Sequence, residues 1–333
     1  MEFKAKKRNK TFYVKRGLLI ISIIILSFIL FIQIYSPIYI KNFEDLDVNA
    51  ETSRVGGEYY KKDGDEMYVA DYFNNKEKTI LFIHGFAASS FSWRKNIDAL
   101  GTDYHVISVD LLGFGMSKNT KSENIGLDRD VEIISSYLTE KKLKNVLVVG
   151  HSMGGVVAQK LAEKNKSQVI GLVLINSIDT EYMQKRTDAF GKNLLDLFFI
   201  KNPIIFVTYN FMIEQGTKKA YYNKDLVDKL TVEGYQKGYR FKGSSDQLVK
   251  FTKSSPPTNQ DLSKISQLTL IYSSENDEII EPENSVNISK KIPNSTLIKI
   301  PKAGHLLMEE QPTLINDGIR QWIEECFNKL NVA

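Results

Sequence analysis

A chain of 333 residues with 42% hydrophobic and 25% charged residues can build one large α/β domain or two smaller ones, and its composition excludes a disordered or fibrous protein. Its net charge of +4 comes from the first 17 residues, which hold seven Lys and Arg against one acid; the remainder sums to −2, so no nucleic-acid surface is expected on the main domain. A single cysteine, Cys326, excludes an intrachain disulfide, and no glycine-framed turn surrounds it to suggest a thiol nucleophile.

The predicted elements begin with Leu18 to Tyr35, a segment without charge. As a helix it would span roughly 27 Å, close to the hydrocarbon thickness of a bilayer. The basic residues 1–17 would stay cytoplasmic and place the rest of the chain on the outer face. No small-residue cleavage pattern follows at Ile34-Tyr35-Ser36-Pro37, so the expectation is an uncleaved single-pass anchor in the cell membrane, with Tyr35, Tyr39 and Lys41 at its interface.

A polar linker over 36–54 leads to two strands within 58–73, around the turn Lys62-Asp63-Gly64-Asp65. Lys78 to Ile83 reads as a buried strand, Trp93 to Leu100 as a helix and Tyr104 to Val109 as a strand. Leu127 to Leu143 reads as an amphipathic helix with Asp128 as its cap. The β-branched run Val146 to Val149, a helix over Val156 to Glu163 and a strand over Val169 to Asn176 follow. Strands alternating with helices imply a doubly wound, mostly parallel sheet. That rhythm breaks over 178–260, rich in Phe, Tyr and Leu, which is expected to be a helical cap over the carboxyl edge of the sheet. The core is then 55–177 together with 261–333. Its last part reads as a strand at Leu268 to Tyr272, a helix at Asn284 to Lys291, a strand at Thr296 to Ile300 and a closing helix over Pro312 to Leu330.

The chemistry concentrates at Gly150-His151-Ser152-Met153-Gly154, a G-x-S-x-G match between a strand and a helix. A strand that reverses sharply into a helix strains its apex residue and presses neighbouring backbones together, so small residues must flank it. The apex side chain is then held above the sheet beside free N–H groups of the new helix. A serine needs a base. Of four histidines, His151 is too close to Ser152 to fold back on it, His105 lies inside a strand, and His84 sits in a turn beside Gly85. His305, in the loop after the last strand, is the base by elimination. Asp277 follows the preceding strand and is the choice for the acid that orients His305, with Asp179 as rival and Glu275 and Glu278 as neighbours. Amide N–H groups of Met153 and Phe86 are the candidates for an oxyanion site. His84, Gly85 and two cap residues, Phe198 and Phe199, are candidate substrate contacts.

With these pieces in order, the chain over roughly 55–330 resembles the α/β-hydrolase family. The motifs that carry the resemblance are His84-Gly85-Phe86, Asp110-Leu111-Leu112-Gly113-Phe114-Gly115-Met116-Ser117, Gly150 to Gly155, Asp277 with Pro282 behind it, and Gly304-His305. The resemblance implies an eight-stranded sheet, a cap inserted after the sixth strand, and no cofactor or metal. Ser152 sets the chain apart from the similar branches that carry aspartate at the elbow. The expected activity is hydrolysis of carboxylic esters, small-molecule or lipid, with monoacylglycerols or fatty esters suggested by the aromatic cap. The alternatives are a carbon–carbon bond hydrolase of this fold or a non-enzymatic ligand receptor. The sequence leaves the oligomeric state open.

Overall fold

The computed structural model describes residues 17–24, 26–27, 46–47, 57–72, 76–119, 125–185 and 203–332. Eight strands form the sheet: β1 (Glu58–Lys62), β2 (Asp65–Tyr72), β3 (Thr79–Ile83), β4 (His105–Asp110), β5 (Val146–His151), β6 (Val169–Ile175), β7 (Leu268–Ser274) and β8 (Ser295–Ile300). Their spatial order is β1-β2-β4-β3-β5-β6-β7-β8, and a two-residue strand, Lys118–Asn119, pairs with β2 at the side. The pairs β1/β2 and β2/β4 are antiparallel; every pair from β4/β3 to β7/β8 is parallel.

Alternation along the strands divides the core in two. Leu81, Ile83, Val146 and Val148 face one side, with Val131 and Ile134 of α2 (Leu127–Glu140) and Val156, Val157 and Leu161 of α3 (Gly154–Lys164). Ile80, Phe82, Leu147 and Val149 face the other, with Ile97 and Leu100 of α1 (Arg94–Gly101) and Ile315, Ile319 and Ile323 of the closing helix Pro312–Val332. Helices on both faces explain why β3, β4 and β5 are buried at every residue, and why Ile80–Ile83 and Val146–Val149 read as unbroken apolar runs.

Between β6 and β7 no described residue is in a strand. The insertion contributes α4 (Pro203–Ala220), α5 (Lys229–Lys237) and α6 (Ser244–Lys253). It leans on the carboxyl edge of the sheet at three loops. Phe251 of α6 packs on Phe114, Tyr221 and Tyr222 abut Gly304, and Gly234 of α5 is pressed against Phe91. After β7 come α7 (Pro282–Lys291), then β8, α8 (Leu307–Glu310) and α9, the closing helix.

Two expectations need correction or restriction. Asp128 does not cap α2: the helix starts behind Gly126 with no side-chain cap, and Asp128 instead accepts from the Thr258 amide at 2.8 Å and pairs with Lys160 at 2.9 Å. The carboxylate joins α2 to α3 and to the exit of the insertion, a long-range partnership that local capping rules do not foresee. Of the expected span 18–35, only residues 18–24, 26 and 27 are described; they are helical and their apolar side chains are exposed. No helix among the described residues is long and apolar enough to cross a membrane. The rest of that span, most of the linker 36–54, and Phe198 and Phe199 lie outside the described residues.

Candidate active site

Six loops meet at the carboxyl edge of the sheet: those after β3, β4, β5, β6, β7 and β8. The central one is the elbow between β5 and α3. Ser152 sits at φ 52°, in the left-handed region that a non-glycine residue enters only under constraint. The constraint is visible in its neighbours. A Cβ on Gly150 would lie 2.7 Å from the Gly155 Cα, and one on Gly154 would lie 2.3 Å from the His84 carbonyl oxygen. Strand, helix and the β3 loop are therefore in backbone contact around the serine, and only glycine permits it.

Asp277, after β7, receives the Nδ1–H of His305 at 2.7 Å through Oδ2. Its Oδ1 accepts from the amides of Ile279 at 2.7 Å and Ile280 at 2.9 Å, which fixes the carboxylate plane. With Nδ1 engaged, Nε2 is the nitrogen left to exchange protons. The His305 carbonyl accepts from His151 Nε2 at 3.0 Å, and the two rings stand 4.6 Å apart, so His305 lies directly beside the elbow. Ser152 Oγ makes no hydrogen bond to His305 or to any other described group; such bonds are often long before substrate arrives. The rival acids point elsewhere. Asp179 pairs with Lys291 at 2.7 Å and accepts from the Tyr182 amide, and Glu278 faces Lys224 at 3.6 Å.

The Phe86 and Met153 amides donate to no acceptor among the described residues. Gly85 brings the first close: a Cβ there would stand 3.0 Å from the Ser152 Cβ. Ala87 follows at φ 61°, a second non-glycine residue held left-handed within the site. Two amides without an acceptor among the described residues thus neighbour the strained serine.

Known proteins agree with this architecture. A family model described as alpha/beta hydrolase fold matches residues 78–312. The chain belongs to the α/β-hydrolase family. The uncharacterized hydrolase YugF of Bacillus subtilis is 26% identical over 269 residues, covering 79% of this chain and 96% of its own. Lipase 1 of Psychrobacter immobilis is 26% identical over 275 residues, covering 82% of each chain. The solved structure of an esterase (EaEST) from Exiguobacterium antarcticum superposes with a TM-score of 0.64 at 18% identity, covering 81% of this chain and 99% of that one.

Within this α/β-hydrolase, His84 is not placed to touch substrate. It is wholly buried; its Nδ1–H donates to the Gly85 carbonyl at 2.7 Å and its Nε2 accepts from the Leu111 amide at 2.9 Å. Burial holds the imidazole below its ordinary pKa, against the pull of Asp110, so it stays neutral and braces the Phe86 loop from behind. His151 is also kept neutral. Burial is the main cause and the neighbouring His305 adds to it; the Nδ1 lone pair of His151 has no donor among the described residues.

Asp110 ties the neighbouring loops together, accepting from the Ser90 amide at 2.6 Å and the Met116 amide at 2.8 Å. Phe86 is 45% exposed, and its ring meets Phe114 at 5.4 Å and Phe251 of α6 at 6.2 Å, giving the hydrolase an aromatic wall beside the serine. A separate cavity of about 290 Å³ lies between β2, the Ser89–Phe91 turn and α5; neither Ser152 nor His305 lines it. Among the described residues no cluster of His, Cys, Asp and Glu could hold a metal ion.

Sequence reasoning missed Asn176. Buried at the end of β6 with φ 44°, it accepts from the Ser274 amide at 2.8 Å, which fixes its amide orientation. Its NH₂ group then donates to the carbonyls of Gly304 at 3.1 Å and His305 at 2.9 Å. An Asn just past a strand, a residue that tolerates left-handed backbone, was the available signal. Glu309 and Glu310, just after His305, were also missed.

Proposed function

We propose that this hydrolase cleaves carboxylic esters through an acyl-enzyme. Ser152 Oγ attacks the carbonyl carbon while His305 Nε2 takes its proton, and the oxyanion is held by the Phe86 and Met153 amides. His305 then hands the proton to the leaving alcohol. Water, deprotonated by His305, attacks the acyl-enzyme; the acid leaves as the bond to Ser152 Oγ breaks, and His305 returns the proton to that oxygen. Asp277 keeps the proton-bearing Nδ1 facing away and stabilises the imidazolium. The observation that carries this reading is the 2.7 Å bond from His305 to Asp277 beside a strained serine flanked by two unused amides. The lipase and the esterase among the similar proteins support esters as substrates.

The finer reading is a lipophilic acyl group, such as a monoacylglycerol or a short to medium fatty ester, lying along Phe86, Phe114 and Phe251. It includes a tether: residues 18–35 as a single membrane span, basic tail inside, catalytic unit outside. The uncharged segment and the seven preceding cations support it.

The test is turnover of p-nitrophenyl esters of graded chain length by the full-length protein. Loss of activity and of fluorophosphonate labelling in Ser152→Ala is expected. Activity surviving that change would remove the mechanism. A rate maximum at acetate would remove the lipophilic preference, and turnover of a vinylogous diketone without ester turnover would put carbon–carbon cleavage in its place. Recovery in the soluble fraction after cell lysis would remove the tether.

A further inference from the structure

The two residues that close the His305 loop do more than end it. Glu309 is buried, yet its carboxylate is fully partnered: Arg94 at 2.5 Å, the Tyr221 hydroxyl, and the Tyr235 hydroxyl. Arg94 opens α1 and lies 4.1 Å over the Phe91 ring; both tyrosines come from the insertion. Glu310 works on backbone. Its Oε2 accepts from the amides of Tyr222 and Asn223, each at 3.0 Å, and its Oε1 from the amide of Gly304 at 2.7 Å. The Leu306 amide donates to the Ala220 carbonyl at 3.1 Å. A Cβ on Gly304 would stand 2.5 Å from the Tyr222 nitrogen, so the two chains touch with nothing between them.

These bonds share one geometry. Apart from the Arg94 pair and the Gly304 amide, each runs from the stretch on either side of His305 to the root of the insertion, residues 220–235. The sheet alone supplies His305 with Asp277, Asn176 and His151; the insertion supplies the other half of the cradle. We propose that Glu309 and Glu310 are positioning residues that fasten the root of the insertion to the His305 loop, so that the insertion sets where the imidazole stands. The root is then a fixed hinge block rather than part of a swinging lid, and a ligand that displaces it displaces the base. The proposal rests on His305 being the general base.

The test uses the full-length protein with Glu310→Gln and, separately, Tyr221→Phe with Tyr235→Phe. Neither touches a proposed reacting group. The second removes only the insertion's two hydroxyl donors to Glu309. Two signals are read: the rate of fluorophosphonate labelling, and the NMR resonance of the His305 Nδ1–H, one of four histidines in the chain. Both variants should label about 10- to 100-fold more slowly, as expected when a base is displaced by up to an ångström, and both should shift or broaden the His305 resonance. A lowered melting temperature with wild-type labelling and a wild-type resonance would reduce the two glutamates to ordinary structural contacts and overturn the proposal. Should the wild-type protein fail to label, the hydrolytic reading falls. The resonance then decides the clamp alone: perturbation in the variants upholds it and constancy refutes it. If Glu310→Gln does not fold, the same two signals in the tyrosine pair decide between clamp and ordinary contact.

Discussion

Gly154 offers the sharpest test of how the elbow is held. In Gly154→Ala the new methyl would stand 2.3 Å from the His84 oxygen, 2.5 Å from the Ile83 oxygen and 2.9 Å from the Ile83 carbonyl carbon. Ordinary contact begins near 3.4 Å, so the shortfall is about 1 Å. The obstructing atoms are all backbone. They end β3, which is hydrogen-bonded to β4 on one side and β5 on the other, so they cannot retreat. The helix must move instead, carrying Ser152 and the Met153 amide with it. Overpacking of this kind costs about 3 kcal/mol, the upper end of the usual range because no flexible side chain can yield. Better helix propensity offsets up to about 1 kcal/mol, leaving a net loss of about 2 kcal/mol. Gly216→Ala is the control: exposed in α4 with nothing within 4 Å, it should stabilise by up to about 1 kcal/mol. At about 2 °C per kcal/mol for a chain of this size, the two variants should melt about 6 °C apart. Fluorophosphonate labelling should slow about 100-fold in Gly154→Ala and stay unchanged in the control. If Gly154→Ala melts and labels like wild type, the contact between elbow and β3 loop sets nothing and the reasoning fails.

Other outcomes follow from buried polar groups. Asn176→Asp keeps the shape but replaces the NH₂ group that donates to the Ser274 hydroxyl and to the Gly304 and His305 carbonyls with an oxygen facing both carbonyls, so it should cost about 3 kcal/mol and lower ester turnover at least tenfold; urea denaturation and p-nitrophenyl ester assays check both. At the opposite edge, Asp71 accepts from His105 at 2.7 Å and from the Tyr137 hydroxyl at 3.0 Å. Its partial burial tends to raise the carboxyl pKa, but these bonds and the charge of His105 prevail and hold it below the usual carboxylate value. A depressed folded pKa stabilises above the unfolded value near 3.9, so this contribution should be intact at neutral pH and fade as pH falls below about 4, a fall absent in Asp71→Asn thermal scans. Cys326 is buried against Gly171, and burial pushes its thiol up to about 12. It should resist DTNB at pH 8 in the native protein and react fully in urea; rapid native reaction would contradict its packing.

Particular residues show why some of the site was readable in the chain and some was not. The elbow was readable because its demands are local: Gly150, Gly154 and Gly155 are small where strand, helix and loop backbones touch. The strands were readable because burial on both faces leaves no polar alternation in β3 and β5. Asp128 misled because a carboxylate near a helix start looks like a cap whether it turns inward or reaches Thr258 and Lys160. His84 misled because a histidine beside glycine reads the same facing a substrate or bracing a loop. Only the distances to Gly85 and Leu111 separate the two.

Short-range requirements of the backbone thus wrote the strand–turn–helix, the order of the motifs and the family into the linear chain. Which carboxylate meets His305, that Asn176 holds its loop, and that Glu309 and Glu310 bind it to the insertion were decided by folding alone. Those partners are joined by hydrogen bonds between segments 28 to 129 residues apart, and nothing in the spacing of one segment records the register of another.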